Sequence, residues 1–271
     1  MRINTNLNAM IATNQMSKNT ALAGSSMEKL STGLRITKAG DDAAGLAVSE
    51  KMRAQIRGME QAERNVQDGI SMVQTAEGAL EEAGNIAQRM RELGVQAGND
   101  TLSDDDRTKV KEELKQLQDE MKKISEETKF NGKQLLNAAG TFTIQAGANS
   151  ETRTVKTADL LSIANNISLT ASTNISSSSD AQSFVTKVDD ALKAINAARS
   201  DLGAMQNRLE YTANNLTTST ENLTAAESRI RDVDVAKEMV TLSKLNILNQ
   251  ASQAMVSQAK QQPESVSQLL R

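Results

Sequence analysis

Two adjacent carboxylates, Asp41 and Asp42, stand in the stretch AGDDAAGLA at residues 39–47, and carboxylates are the residue type that binds a cation or moves a proton. A catalytic or metal site needs more than a pair, and no third partner follows at a readable spacing. Adjacent residues on a helix also do not face each other, so the pair could not grip one ligand from a helical backbone. The competing role is to shape the chain. Gly40 permits a bend, and the two Asp side chains can cap free N–H groups and favour the dipole at the start of a helix beginning at residue 43.

The rest of the chemical inventory is thin. Among 271 residues there is no His, no Cys and no Trp, with one Tyr, three Phe and one Pro. Without His or Cys there is no typical zinc site, no thiol nucleophile and no side chain that titrates unperturbed near neutrality. Acid–base catalysis would fall to Asp, Glu, Lys or Tyr211. The composition therefore predicts a protein that is not an enzyme, with no catalytic residues, no metal and no cofactor. The 31 basic and 34 acidic residues are interspersed and sum to −3, which leaves no nucleic-acid footprint. No stretch approaches the ~20 consecutive apolar residues of a membrane span, so no membrane insertion is expected. The opening MRINTNLNAMIATNQ has no apolar run between a charged region and a cleavage site, and does not read as a secretory signal peptide.

What remains is helix. A single proline, Pro263, and an aromatic content of 1% favour long helices packed through Ala, Leu, Ile, Val and the 12 Met. From Met52, alternating steps of four and three land on Ile56, Met59, Glu63, Val66, Ile70, Val73, Glu77, Leu80, Gly84 and Ala87, and seven of these ten are apolar. The spacing predicts one helix over 43–97, ended by the turn AGNDTLSDDD at 97–106. Val110, Leu114, Leu117, Met121 and Ile124 mark a second helix over 107–128 with a charged outer face, stopping at the Asn131-Gly132 turn. TFTIQ (141–145) and TRTVK (152–156) alternate like a short β-hairpin, and TASTNISSSSDAQ (170–182) is a Ser-rich surface segment. A third helix over 184–231 keeps a heptad from Val188 through Ile195, Leu202, Leu209 and Leu216 to Val233. The fold class is mainly α: a long antiparallel helical bundle, coiled-coil-like, with a small β-hairpin region and paired terminal helices.

Both ends carry more apolar surface than one partner can cover. Ile3, Leu7, Met10, Ile11, Met16, Leu22, Met27, Leu30 and Leu34 make the N-terminal stretch the partner of the C-terminal one. In the latter, Val235, Met239, Leu242 and Leu245 mark one face, and Val233, Ala236, Val240, Ile247 and Ala254 mark another. Two helices cannot bury each other all round, so the ends either dock on the same bundle or make contacts between copies. If each end is covered by other copies head to tail, the contacts do not close and a helical filament results.

The residues also carry a resemblance. MRINTN at the start, EKLSTGLRI (28–36), DDAAGLAVSEKMRAQIRG (41–58), QDGISMVQTAEGAL (67–80), QRMRELGVQAGN (88–99), FNGKQLL (130–136), NRLEYTANNL (207–216), ENLTAAESRIRDVDVAKEM (221–239) and ILNQASQAMVSQAKQQPESVSQLLR (247–271) closely resemble bacterial flagellin. The likeness spans the chain except about 140–182, and suggests a short form lacking the outer variable domains. It implies a structural subunit of the flagellar filament, the propeller for swimming, secreted through the flagellar type III apparatus and located outside the cell. It implies an inner-tube domain from 1–42 and 232–271, and a bundle domain over 43–231 with a short variable region at about 138–182. The polymer contacts read this way are Ile3, Leu7, Ile11, Leu30 and Leu34, then Val235, Met239, Leu242, Ile247 and Met255, and finally Leu269 and Leu270. Gly40, Asp41 and Asp42 become a connector against neighbouring subunits. The implied partners are other copies of the chain, an export chaperone on the C-terminal segment, filament cap and hook-associated proteins, and a host Toll-like receptor touching Arg89, Leu93 and Glu113. A hook–filament junction protein of the same superfamily is the alternative, although the AESRIRDVD and QQPESVSQLLR runs match filament flagellin better.

Overall fold

Near-absence of helix breakers leaves the chain in a few very long helices. A computed structural model describes residues 6–167, 175 and 177–269, with side chains described as far as 261. Its helices are α1 (Leu7–Thr32), α2 (Ala43–Ala97), α3 (Asp104–Glu127), α4 (Leu160–Asn166), α5 (Ser178–Arg231) and α6 (Val235–Leu269). Strands β1 (Lys129–Phe130) and β2 (Lys133–Gln134) pair antiparallel, as do β3 (Thr141–Gln145) and β4 (Thr152–Lys156). The expected helix over 43–97 is α2, and the expected hairpin is β3–β4, in register from Thr141↔Lys156 to Gln145↔Thr152. The other two long helices start earlier than their apolar spacing shows, at 104 and 178 in place of 107 and 184. The reason at α3 is a cap. Ser103 accepts from the Asp106 N–H at 3.3 Å and its hydroxyl donates to the Asp106 carboxylate at 2.7 Å. Three Asp residues then sit in the first turn, at the positive end of the helix dipole.

The chain divides into two compact units, residues 1–54 with 222–271, and residues 55–221. Within the second unit, cross-helix contacts fix the packing direction. Arg91 meets Asp189 at 2.6 Å, Arg199 reaches Glu81 at 3.8 Å, and Thr217 donates to Glu63 at 3.2 Å, so α5 runs antiparallel to α2. Arg89 meets Glu113 at 3.0 Å and Arg107 donates to the Asn99 carbonyl at 3.2 Å, so α3 runs back antiparallel to α2 as well. The core is aliphatic: Val66, Ile70, Val73, Leu80 and Ala87 of α2, Leu114 and Met121 of α3, and Ile195, Leu202, Leu209 and Leu216 of α5 are buried. Phe184 is buried completely among them.

The three interruptions of the α2 heptad turn out to be cross-helix positions. Glu63 receives Thr217, Glu77 lies 4.0 Å from Arg199, and Gly84 faces the Ile195 side chain. At the bundle's end, Asn131 (φ 48°) and Gly132 (φ 78°) make the expected turn, and the backbone around it closes the small β1–β2 hairpin. The seven-residue α4, capped by Asp159 onto the Ser162 N–H at 2.8 Å, packs on α3 and was not foreshadowed by any periodicity. Of the Ser-rich stretch expected on the surface at 170–182, residues 170–174 and 176 lie outside the described residues, and the part from Ser178 is instead the start of α5, with Ala181 buried.

Candidate assembly interface

α1 and α6 pair along their length in the first unit, as their sequences suggested. What they bury against each other is unusual. The buried positions of described α1 are Asn19 and Ser26, seven residues apart, and those of α6 are Leu245, Ser252 and Ala259, also at intervals of seven. A seven-residue repeat is the seam of a coiled coil, but here, Leu245 apart, the seam is polar and small. The large apolar side chains face away from it: Leu7, Met10, Ile11, Leu22, Met27, Val235, Met239, Val240, Ile247 and Met255 are all more than half exposed. Hydrogen bonds supplement the thin seam. Asn6 accepts from Ala9 N at 3.1 Å to cap α1, and its amide donates to the Ala259 carbonyl at 2.6 Å. The Thr20 hydroxyl donates to Asn249 at 3.5 Å across the pair, while Gln15 donates to the buried Asn19 within α1 at 3.3 Å. A groove of about 500 Å³ opens beside the pair, lined by Ile11, Ala12, Gln15 and Met255 among others.

Of the residues expected to make polymer contacts, Leu7, Ile11, Val235, Met239, Ile247 and Met255 therefore lie on the exposed surface, while Leu30, Leu34 and Leu242 are half-buried. Ile3 and Leu270 lie outside the described residues, as does the side chain of Leu269. The face grouped as Val235, Met239, Leu242 and Leu245 is split by the pairing, since Leu245 is buried and Val235 and Met239 are not.

A joint lies where α1 gives way to α2 and α5 to α6. Gly33 ends α1 in the left-handed region (φ 73°), and Leu34 then bridges Asp232 as a single antiparallel pair. Arg35 N donates to the Arg231 carbonyl at 2.6 Å, and Val233 N to the Gly33 carbonyl at 3.0 Å. The Arg35 guanidinium donates to the Ile230 carbonyl at 2.6 Å, a cation on the negative end of α5. Arg231, 13% exposed, meets Glu50 at 2.7 Å, and that hydrogen bond holds the Glu50 carboxyl below its ordinary range. Asp234 begins α6 by accepting from Lys237 N at 3.2 Å.

Asp41 and Asp42 divide the work of this joint. Asp42 caps α2: its carboxylate accepts from Gly45 N at 2.8 Å, and its carbonyl from Leu46 N at 3.0 Å. Asp41 does not cap the helix. It closes the turn before it, accepting from Lys38 N at 3.0 Å, Thr37 N at 3.1 Å and the Thr37 hydroxyl at 3.0 Å. Those donors, the Lys38 N–H first, keep the Asp41 carboxyl below its ordinary value. The bend does not depend on Gly40, which has no positive φ and open space where a side chain would stand. The glycine that matters is Gly45. A Cβ there would collide with the Asp42 carboxylate and lie 2.8 Å from Ile36 Cδ1, and Ile36 is 2% exposed. Glycine three residues after a capping Asp is the signal that sequence reading passed over, along with Arg35, Glu50 and Arg231.

The depressed carboxyls give the joint a pH dependence of known sign. A carboxyl lowered in the folded state contributes stability above its unfolded pKa and loses that contribution as pH falls through the folded value. Protection of the Thr37 and Lys38 amides from hydrogen exchange should therefore hold at neutral pH and fade on acidification below about pH 4. An Asp41 carboxyl found by NMR titration at or above its ordinary value would contradict this.

In the second unit, Arg89 donates to Glu92 and Glu113, each at 3.0 Å, and its hydrogen bond to Glu113 above all raises the affinity of the guanidinium for its proton. Leu93, expected beside them at a receptor contact, is 2% exposed, so a partner approaching this patch meets Arg89 and Glu113 but not the Leu93 side chain. Tyr211 is 75% exposed. Among the described residues no group of three or more His, Cys, Asp or Glu is gathered to hold a metal ion, and no helix is long and apolar enough to cross a membrane.

Residues 3–141 match the bacterial flagellin N-terminal helical region, and residues 185–270 match the bacterial flagellin C-terminal helical region. A flagellin of Halalkalibacterium halodurans is 53% identical over 272 residues, covering 100% of both chains. The chain belongs to the bacterial flagellin family. It is a short form, and its role is structural, as a subunit of the flagellar filament. Bacillus subtilis flagellin is 49% identical over 312 residues, and the flagellar filament 33 kDa core protein of Treponema phagedenis is 45% identical over 287, each with 100% of both chains covered. Among solved structures, Bacillus cereus flagellin aligns with a TM-score of 0.51 at 34% identity, over 60% of this chain and 94% of that one. A putative flagellar hook-associated protein from Vibrio parahaemolyticus aligns with a TM-score of 0.60 over 71% of this chain and 100% of its own, but at 14% identity it shares the fold alone.

Proposed function

We propose that the subunit assembles by burying the outward apolar faces of α1 and α6 against other copies, head to tail, so that the contacts continue without closing into a ring. The observation that carries this reading is the inverted pairing: apart from Leu245, the described buried positions of the seam are small or polar (Asn19, Ser26, Ser252 and Ala259), while ten large apolar side chains of α1 and α6 are more than half exposed. Burial of those outer faces would add cohesion at about 25 cal/mol per Å² of apolar surface removed from water. The terminal helices reach full order on polymerisation, when their outer faces gain partners. Residues 1–42 and 232–271 form the inner tube, residues 43–231 the surrounding layer, and Gly40, Asp41 and Asp42 a connector against neighbouring subunits.

The wider life of the subunit follows from its family. It is secreted through the flagellar type III apparatus, with a chaperone on its C-terminal segment before export. Cap and hook-associated proteins meet it outside the cell, and a host Toll-like receptor engages the surface at Arg89 and Glu113. A receptor reporter assay on purified monomer, silent beside a responsive flagellin, would remove that last partner. For the assembly itself, purified chain heated, recooled and seeded should grow filaments visible by negative-stain electron microscopy. Persistent monomer under those conditions would overturn the reading.

A further inference from the structure

Among the described methionines the exposed and the buried ones divide between the two compact units, while Met16, Met52 and Met205 are half-buried. Met10, Met27, Met239 and Met255, all in the unit of residues 1–54 and 222–271, are 51–64% exposed. Met59, Met72, Met90 and Met121, all in the unit of residues 55–221, are 9% exposed or less. Thioether oxidation follows access to the sulfur, and it turns a flexible apolar side chain into a polar one. Methionine also adapts its shape to irregular contacts, so it suits a surface that other copies must cover, and its oxidation damages such a surface first.

We propose that Met10, Met27, Met239 and Met255 form a redox-sensitive set in the free subunit, whose conversion to sulfoxide by peroxide-class oxidants blocks assembly and leaves the residue 55–221 unit folded. This rests on the reading that the outer faces of α1 and α6 are the filament contacts. In the step itself, the thioether sulfur attacks one oxygen of hydrogen peroxide, the S–O bond forms and the O–O bond breaks. Sulfur loses two electrons, the peroxide is reduced, and the displaced hydroxide leaves as water with the remaining hydrogen. The new S=O dipole is well solvated on the monomer. Within an apolar contact between copies it loses that solvent, which penalises the polymer and not the subunit. Assembly then protects the same four sulfurs by covering them.

The test treats the purified full chain with hydrogen peroxide, maps sulfoxides by peptide mass spectrometry, and follows far-UV circular dichroism and seeded polymerisation. Sulfoxide should appear first at the four exposed positions, helicity should persist, and the critical concentration should rise about 100-fold. Methionine sulfoxide reductases of both epimer specificities should restore assembly, and preformed filaments should resist oxidation at the same positions. The M10L, M27L, M239L, M255L combination should polymerise equally before and after peroxide. If that variant cannot polymerise untreated, reductase rescue of the oxidised parent decides: recovery supports the proposal and its absence overturns it. Unimpaired polymerisation of oxidised parent, or equal loss in the oxidised leucine variant, also overturns it. The underlying interface reading fails separately, if untreated I11D/I247D protein assembles normally. If that variant is blocked while oxidised parent assembles, only the redox proposal falls.

Discussion

Subunits carrying Ile11→Asp together with Ile247→Asp will remain monomeric at concentrations where the parent protein forms filaments. In the free subunit the two side chains are 58% and 65% exposed, so the substitutions replace apolar surface in water by charge in water. Changes of that kind usually move stability by no more than about 0.5 kcal/mol. Helicity and the unfolding of the residue 55–221 unit should therefore be unaltered. In the polymer the accounting reverses. Each Asp would enter a contact built from Leu, Ile, Val and Met, where a charge without a partner costs several kcal/mol. Two such sites per subunit raise the critical concentration by about 10⁴-fold or more, since every 1.4 kcal/mol is a factor of ten. Sedimentation of seeded samples measures this directly. Pelletable polymer at the parent's concentration would show that these faces are not the contacts.

Much of this surface was legible in the sequence, because excess apolar residues on two terminal helices leave few outlets. The seam was not. Burial preferences put Leu and Ile inside and Asn and Ser outside, and a reader applying them pairs α1 and α6 through the wrong residues. Asn19, Ser26 and Ser252 are inside while Leu7, Ile11 and Ile247 are exposed, the arrangement expected if other copies cover those outer faces, as proposed above. The bundle shows the opposite balance. Its heptads run long enough that, with the Asp pair before it and the AGNDTLSDDD turn after it, α2 could be bounded at 43–97. Yet Glu63, Glu77 and Gly84 looked like faults until Thr217, Arg199 and Ile195 were found opposite them, and no count along one helix reveals the residue on another. Elements shorter than two helical turns, such as α4 and β1–β2, carry too few residues for any period to register. Leu93 belongs with these failures: a motif places it near Arg89 and Glu113, but only the packed bundle shows that it points inward.

The joint gives the second large effect. Gly45→Val should loosen the segment from Leu34 to Leu46 and impair assembly, whereas Gly40→Ala should do neither. At Gly45 an added Cβ meets the Asp42 carboxylate that caps α2, and stands 2.8 Å from Ile36 Cδ1. Moving Asp42 sacrifices the cap, worth about 1 kcal/mol. Moving Ile36 disturbs a side chain only 2% exposed, and overpacking a buried site costs about 1–3 kcal/mol. Together these reach about 2–4 kcal/mol, concentrated in one unit. Since Arg35 and Leu34 hold the 230–233 segment through backbone bonds, displacing Ile36 also disturbs the seat of α6. Hydrogen exchange resolved by segment should show faster exchange at 34–46 and 230–234 in Gly45→Val, with the residue 55–221 unit unchanged. Gly40→Ala meets open space and a backbone that any residue adopts, so its shift should stay within about 0.5 kcal/mol. The two glycines of AGDDAAGLA thus separate a bend that any residue could make from a close contact in which a larger residue must displace Asp42 or Ile36. Equal exchange in the two variants would mean that the Asp42 cap and the Ile36 seat do not organise the joint.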